Sequence, residues 1–143
     1  MTMDLLFKHR WLAAAFGVSL LAFGLPFWSL SYQQAQRWSS LMELGVIVTA
    51  LAACGLRLLN LERSWRIVLV VGSAVPLADI ARVFMDTARD PTSHNLWPFE
   101  VVMMAFIGYF WAGVGTLVGK AGARAAAQDP QGHDETMEMT RPR

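Results

Sequence analysis

The stretch Asp79-Ile-Ala-Arg82-Val-Phe-Met-Asp86-Thr-Ala-Arg89-Asp90-Pro-Thr-Ser-His94-Asn95-Leu-Trp97-Pro-Phe-Glu100 decides how this chain is read. It starts inside the end of one long apolar segment, crosses a short polar loop and enters the next. Acids, arginines and a histidine crowd the place where two membrane-compatible segments meet. The rest of the chain is hydrophobic span, interfacial anchor or polar tail.

Composition supports that setting. Of 143 residues, 55% are hydrophobic and 16% charged, with a mean hydropathy of +0.37. Soluble domains carry about 25% charged residues. Here the apolar residues also come in blocks, and one bundle is the natural count. A net charge of +1 gives no reason to expect a nucleic-acid partner. The single cysteine, Cys54, lies within an apolar block. It has no second thiol for an internal disulfide or a CxxC pair, and reads as a small buried residue.

Working back from Asp79, the segment from Ile67 to about Met85 is a third span. Pro76 removes one backbone donor and frees the carbonyl of Gly72. In lipid that carbonyl must find protein or water. A turn from Leu61 to Arg66 joins this span to a second one, Leu41–Leu61, so the two are antiparallel neighbours. Glu43 opens the second span, and Arg57 near its end can snorkel to the surface. A polar connector from Tyr32 to Ser40 precedes it. Before that, Trp11 to Leu30 is uncharged and about twenty residues long, enough for a hydrocarbon core of roughly 30 Å. A signal peptide is the weaker reading of it, because the apolar run is long and the site near Ser29 and Ser31 is poor for cleavage.

Working forward from Glu100, a fourth span runs from Trp97 to Gly119. Its Gly115-xxx-Gly119 repeat serves either a homo-oligomer face or close packing within the chain. From residue 120 a polar tail is expected to be disordered. His133, Met137 and Met139 there have no specific metal-ligand spacing.

The expected fold is therefore all-α. It is an integral, antiparallel bundle of four transmembrane helices at about 11–31, 41–61, 66–85 and 97–119. Residues 1–10 and 120–143 flank it. Lys8, Arg10, Arg57, Arg63, Arg66, Lys120 and Arg124 fall on one side, which by the positive-inside rule is cytoplasmic and holds both termini. Trp11 and Trp65 then mark the inner interface, and Trp28, Trp38 and Trp97 the outer one. The membrane is expected to be a bacterial-type inner membrane or a plasma membrane.

This topology sends Glu43, Asp79, Arg82, Asp86 and Glu100, from three helices, to the outer half of the bundle. At 100° per residue, positions 79, 86 and 90 lie within about 40° of each other, with 82 and 89 some 60–80° to one side. Asp79–Arg82 and Asp86–Arg89 are i, i+3 pairs, and Arg82–Asp86 and Asp86–Asp90 are i, i+4. An ionisable side chain in mid-bilayer costs about 2.5–3.5 kcal/mol on insertion scales and usually faces a bundle interior. The candidate ligand-binding residues are Glu43, Asp79, Arg82, Asp86, Asp90, His94, Asn95 and Glu100.

Each has an ordinary alternative. Asp79 and Arg82 form a structural ion pair, Asp86 and Asp90 a solvated helix end, and Asn95 an N-cap. Pro98 and Glu100 are normal helix-start residues. Glu43 is an interfacial acid, and His94 a solvated loop residue. Their coincidence on one face and one side is the signal.

Three functions fit. One is a site for a small polar or zwitterionic ligand or a lipid head group, where a buried acid couples binding to protons and an oligomer completes any transport path. Another is an accessory subunit of a larger membrane complex. The third is an enzyme, in which Asp86, Asp90, His94 and Glu100 hold a divalent metal or paired carboxylates move protons. No HExxH or GxSxG spacing is present. The histidines lie outside the spans, which disfavours haem, and no arginine ladder supports a voltage sensor.

Overall fold

A computed structural model describes residues 2–30, 40–88 and 96–128. Among them every regular element is a helix: α1 Thr2–Ser29, α2 Ser40–Leu58, α3 Ser64–Gly72, α4 Ala74–Thr87 and α5 Trp97–Gln128. Three stretches are long and apolar enough to cross a membrane: His9–Ser29, Ser64–Thr87 and Trp97–Gln128. Large apolar side chains cover the outside, among them Leu21, Leu44, Leu51, Leu69, Phe106 and Leu117. A helix set apolar on its outer as well as its inner faces suits lipid rather than water.

The helices pack in a ring, α1 on α2, α2 on α5, α5 on α3 and α4, and these on α1. Two apolar clusters fill the middle. Leu12, Ala53, Leu56, Ile67, Val71 and Ala112 lie toward the α2–α3 turn. Phe23, Phe27, Met42, Val46, Val75 and Ala78 lie toward the other end, where α1 stops.

Proline chemistry shapes the third element. Pro76 cannot donate to the Gly72 carbonyl, and the helix divides at Ser73, which has ψ −12 and donates N–H to Leu69 at 3.2 Å. Beyond it, Leu77 N–H bonds the Ser73 carbonyl at 3.1 Å, and α4 resumes. The freed Gly72 carbonyl lies against Gly108 of α5, where an added Cβ would collide with it. A glycine thus lets α5 approach the broken segment.

The α2–α3 turn is a Schellman motif. Asn60 takes φ 53, Leu61 N–H bonds the Leu56 carbonyl at 3.1 Å and Asn60 N–H bonds Arg57 at 3.1 Å. Leu61 packs back onto the cluster containing Leu56, the usual apolar contact of this motif.

Gly115 and Gly119 are buried inside the chain. A side chain at Gly115 would strike the Ala50 carbonyl, one at Gly119 the Cys54 carbonyl, and one at Gly122 the Leu58 side chain. The residue numbers rise together, so α2 and α5 run parallel with backbones in close contact. This close approach is the packing within the chain that small residues at such spacing allow.

Helix α5 continues to Gln128, beyond the expected end at 119. Residues 120–128 are rich in alanine, with lysine, arginine and glutamine, all good helix formers. They extend a helix already nucleated by packing. Similarly α1 begins at Thr2, so residues 2–10 form its first turns, ahead of the span-length stretch that starts at His9.

Candidate functional site

The site is built from α4 against the end of α1. Helix α4 places Ala78, Asp79 and Arg82 on its buried side, with Asp79 3% and Arg82 4% exposed. Of the three span-length stretches, the one containing α4 is the most buried. Charged residues this deep need partners, and Arg82 has them.

Each guanidinium nitrogen of Arg82 donates a hydrogen bond. Nε donates to Asp86 Oδ2 at 3.2 Å, Nη2 to the Leu30 carbonyl at 2.9 Å, and Nη1 to the Phe27 carbonyl. The charge also stands 4.5 Å from the centre of the Phe27 ring. A helix leaves its last carbonyls without intrahelical donors and carries partial negative charge there. Arg82 answers both needs of α1 from a neighbouring helix. One turn deeper, Trp28 Nε1 donates to the Ala78 carbonyl at 2.9 Å, a second tie between the same helices.

Asp86 is half-buried, with its side chain 20% exposed, and forms the i, i+4 ion pair with Arg82 that the spacing indicates. Asp79 is on the same buried side, one turn toward the bundle centre. Glu100 is half-buried in the first turn of α5, where an acid suits the helix dipole. The first backbone bonds of α5 are accepted by the Leu96 carbonyl, from Phe99 at 2.9 Å and Glu100 at 3.2 Å.

Glu43 is placed differently. It is exposed, on the face of α2 that also exposes Leu44, Ile47 and Leu51, while Met42, Val46 and Thr49 face the interior. The 3.6-residue period of α2 turns this acid away from the buried side. Asp90, His94 and Asn95 lie outside the described residues, as do His133, Met137 and Met139.

Among the described residues, no group of three or more histidine, cysteine, aspartate or glutamate side chains is arranged to hold a metal ion. The described site is thus a buried arginine tied to backbone carbonyls, with carboxylates above and below it. Sequence reasoning missed the Phe27 and Leu30 carbonyls and the Trp28 bond. Only the expected placement of Arg82 and the end of the first apolar segment at the same end of the bundle hinted at them.

Comparison with protein families, curated proteins and solved structures finds no match for this chain.

Proposed function

We propose that the chain is a four-span integral membrane protein with both termini cytoplasmic. Its function would be to bind a small polar ligand, or a lipid head group, at the outer end of the bundle. What supports α2 as the fourth span is its length: 19 residues, about 28 Å at the helical rise. It also packs against α1 and α5, both of which contain a span-length stretch. The distribution of Arg57, Arg63, Arg66, Lys120 and Arg124 supports the orientation.

The observation that carries the ligand reading is the 3% exposure of Asp79 in a span-length helix. A carboxylate at that depth is costly and by default marks a functional position. The buried cation beside it, Arg82, directs a bond from each of its nitrogens to α1 or Asp86. Arg82 is thus a positioning residue, and the acids Asp79, Asp86 and Glu100 take the ligand. Their charge selects an ammonium, an amine or the cationic end of a zwitterion. We include Asp90, His94 and Asn95 in the proposed site and leave out the exposed Glu43.

A second reading is favoured by the same bonds of Arg82. The polar group would then serve only to lock α1 to α4 in an accessory subunit of a membrane complex.

The melting temperature of the detergent-purified protein, measured across a panel of amines, zwitterions and lipids, separates the two. A compound that raises the midpoint for wild type but not for Asp79→Asn or Glu100→Gln supports the binding site. No shift with any compound, together with a lower midpoint for both variants, supports the lock.

A further inference from the structure

The opposite end of the bundle holds a second polar feature that the outer site does not use. Between α2 and α3 lies a cavity of about 350 Å³ lined by Arg57, Asn60, Leu61, Glu62, Arg63 and Ser64. Its charge is unbalanced. Glu62 also lines the cavity, and its carboxylate accepts Arg63 N–H at 3.0 Å and pairs with Arg66 at 3.5 Å. That pairing offsets the one acid. Among the described residues, Arg57 and Arg63 make no ion pair, so two guanidinium charges remain at the cavity wall. Arg57 bonds the neutral amide oxygen of Asn60 through Nη1, and its Nε is buried with no hydrogen-bond acceptor among the described residues.

The start of α3 breaks a local rule in the same direction. Arg63 occupies its N-cap with φ −70 and ψ 139, and its side chain makes no capping bond. Serine, threonine, aspartate and asparagine dominate this position, and a cation there opposes the helix dipole. Breaks of local preference are expected at functional or strained positions. Two arginines, a serine hydroxyl and a helix start make a chemical match for a phosphate oxyanion, which arginine binds bidentately. Beside the cavity, Leu58, Leu59 and Trp65 are exposed and apolar, a surface for acyl chains.

We infer that this cavity binds the phosphate group of an anionic phospholipid, in the leaflet facing the α2–α3 turn. The head group sits between Arg57 and Arg63, and the chains lie along Leu58 and Leu59. This site is separate from the outer one and survives if the ligand reading of Asp79 fails.

The test is a titration of the full-length protein in neutral detergent with phosphatidylglycerol, phosphatidylcholine or inorganic phosphate, read by melting temperature. Arg63→Gln is the main variant, because that side chain is exposed and caps nothing. Ser64→Ala is the second variant, and Arg10→Gln, an exposed cation on α1, the control. We expect saturating phosphatidylglycerol to raise the wild-type midpoint by roughly 5 °C, with phosphatidylcholine giving less. Arg63→Gln should need about fivefold more lipid for half the effect, Ser64→Ala should weaken it in the same direction, and Arg10→Gln should match wild type. If inorganic phosphate alone gives the same Arg63-dependent rise, the oxyanion site stands and its source is free phosphate. An equal response of wild type and Arg63→Gln, an equal loss in Arg10→Gln, or no response to either anion would overturn the proposal.

Discussion

The Arg82 side chain donates to the Leu30 carbonyl at 2.9 Å, just beyond the last residue of α1. A positive charge from one helix thereby terminates another. Removing one partner of a buried charged group typically costs about 3–5 kcal/mol, and a hydrogen bond to a charged group contributes about 1.5–3 kcal/mol. Arg82→Ala should therefore lower the unfolding midpoint of the purified protein more than any other single charge removal. Arg82→Lys should recover part of the loss, because lysine keeps the charge but not the three-way fork. A midpoint unchanged in Arg82→Ala would show that the α1 carbonyls do not depend on it.

The parallel contact between α2 and α5 gives a paired prediction. Gly115→Ala places a methyl group against the Ala50 carbonyl, while Gly113→Ala meets nothing within 4 Å. The first should destabilise by about 1–3 kcal/mol. The second should be neutral or stabilise by up to about 1 kcal/mol, the helix-propensity difference. Thermal unfolding of the two variants side by side checks this, and an equal effect would mean α2 and α5 are not in backbone contact.

Ser19 is fully buried in α1, and its hydroxyl makes no hydrogen bond among the described residues. Thr49 and Thr116, also buried, each bond a carbonyl one turn back, at 2.9 Å and 2.7 Å. An unbonded buried hydroxyl costs about 1–3 kcal/mol. Ser19→Ala should leave the midpoint unchanged or raise it, whereas Thr49→Val should not raise it. A marked drop in Ser19→Ala would mean that the hydroxyl has work to do on a ligand or a water.

The proposed orientation is open to a labelling test in intact cells. With Cys54 replaced by serine, a lone cysteine at Arg63 should react with a membrane-impermeant thiol reagent only after permeabilisation. One at Thr87 should react without it. The reverse pattern would invert the bundle and place the acidic site on the cytoplasmic side.

Much of the architecture is legible from residues alone, because lipid demands long apolar helices and a proline inside one must disturb it. Pro76 marks the division at Ser73, and the i, i+4 spacing of Arg82 and Asp86 reads directly as their ion pair. What periodicity cannot tell is which neighbour a face meets. The carbonyls of Phe27 and Leu30 are backbone groups with no residue-type signature, so nothing in the sequence marks them as partners of Arg82. Glu43 is grouped with the other acids by depth, but depth is blind to the rotation that turns it outward. Gly115 and Gly119 announce a close approach without naming α2. The alanine-rich run after Lys120 looks like the start of a tail because its polarity rises, while its helix propensity carries α5 to Gln128.

The most direct test of the central claim is native mass spectrometry of the protein extracted from its own membrane, comparing wild type with Asp79→Asn and Glu43→Gln. A binding site centred on Asp79 predicts one additional small-molecule mass on wild type and on Glu43→Gln, absent from Asp79→Asn while that variant stays folded. Identical bound-mass patterns on all three folded proteins would contradict it, leaving the buried acid and arginine as a lock between α1 and α4.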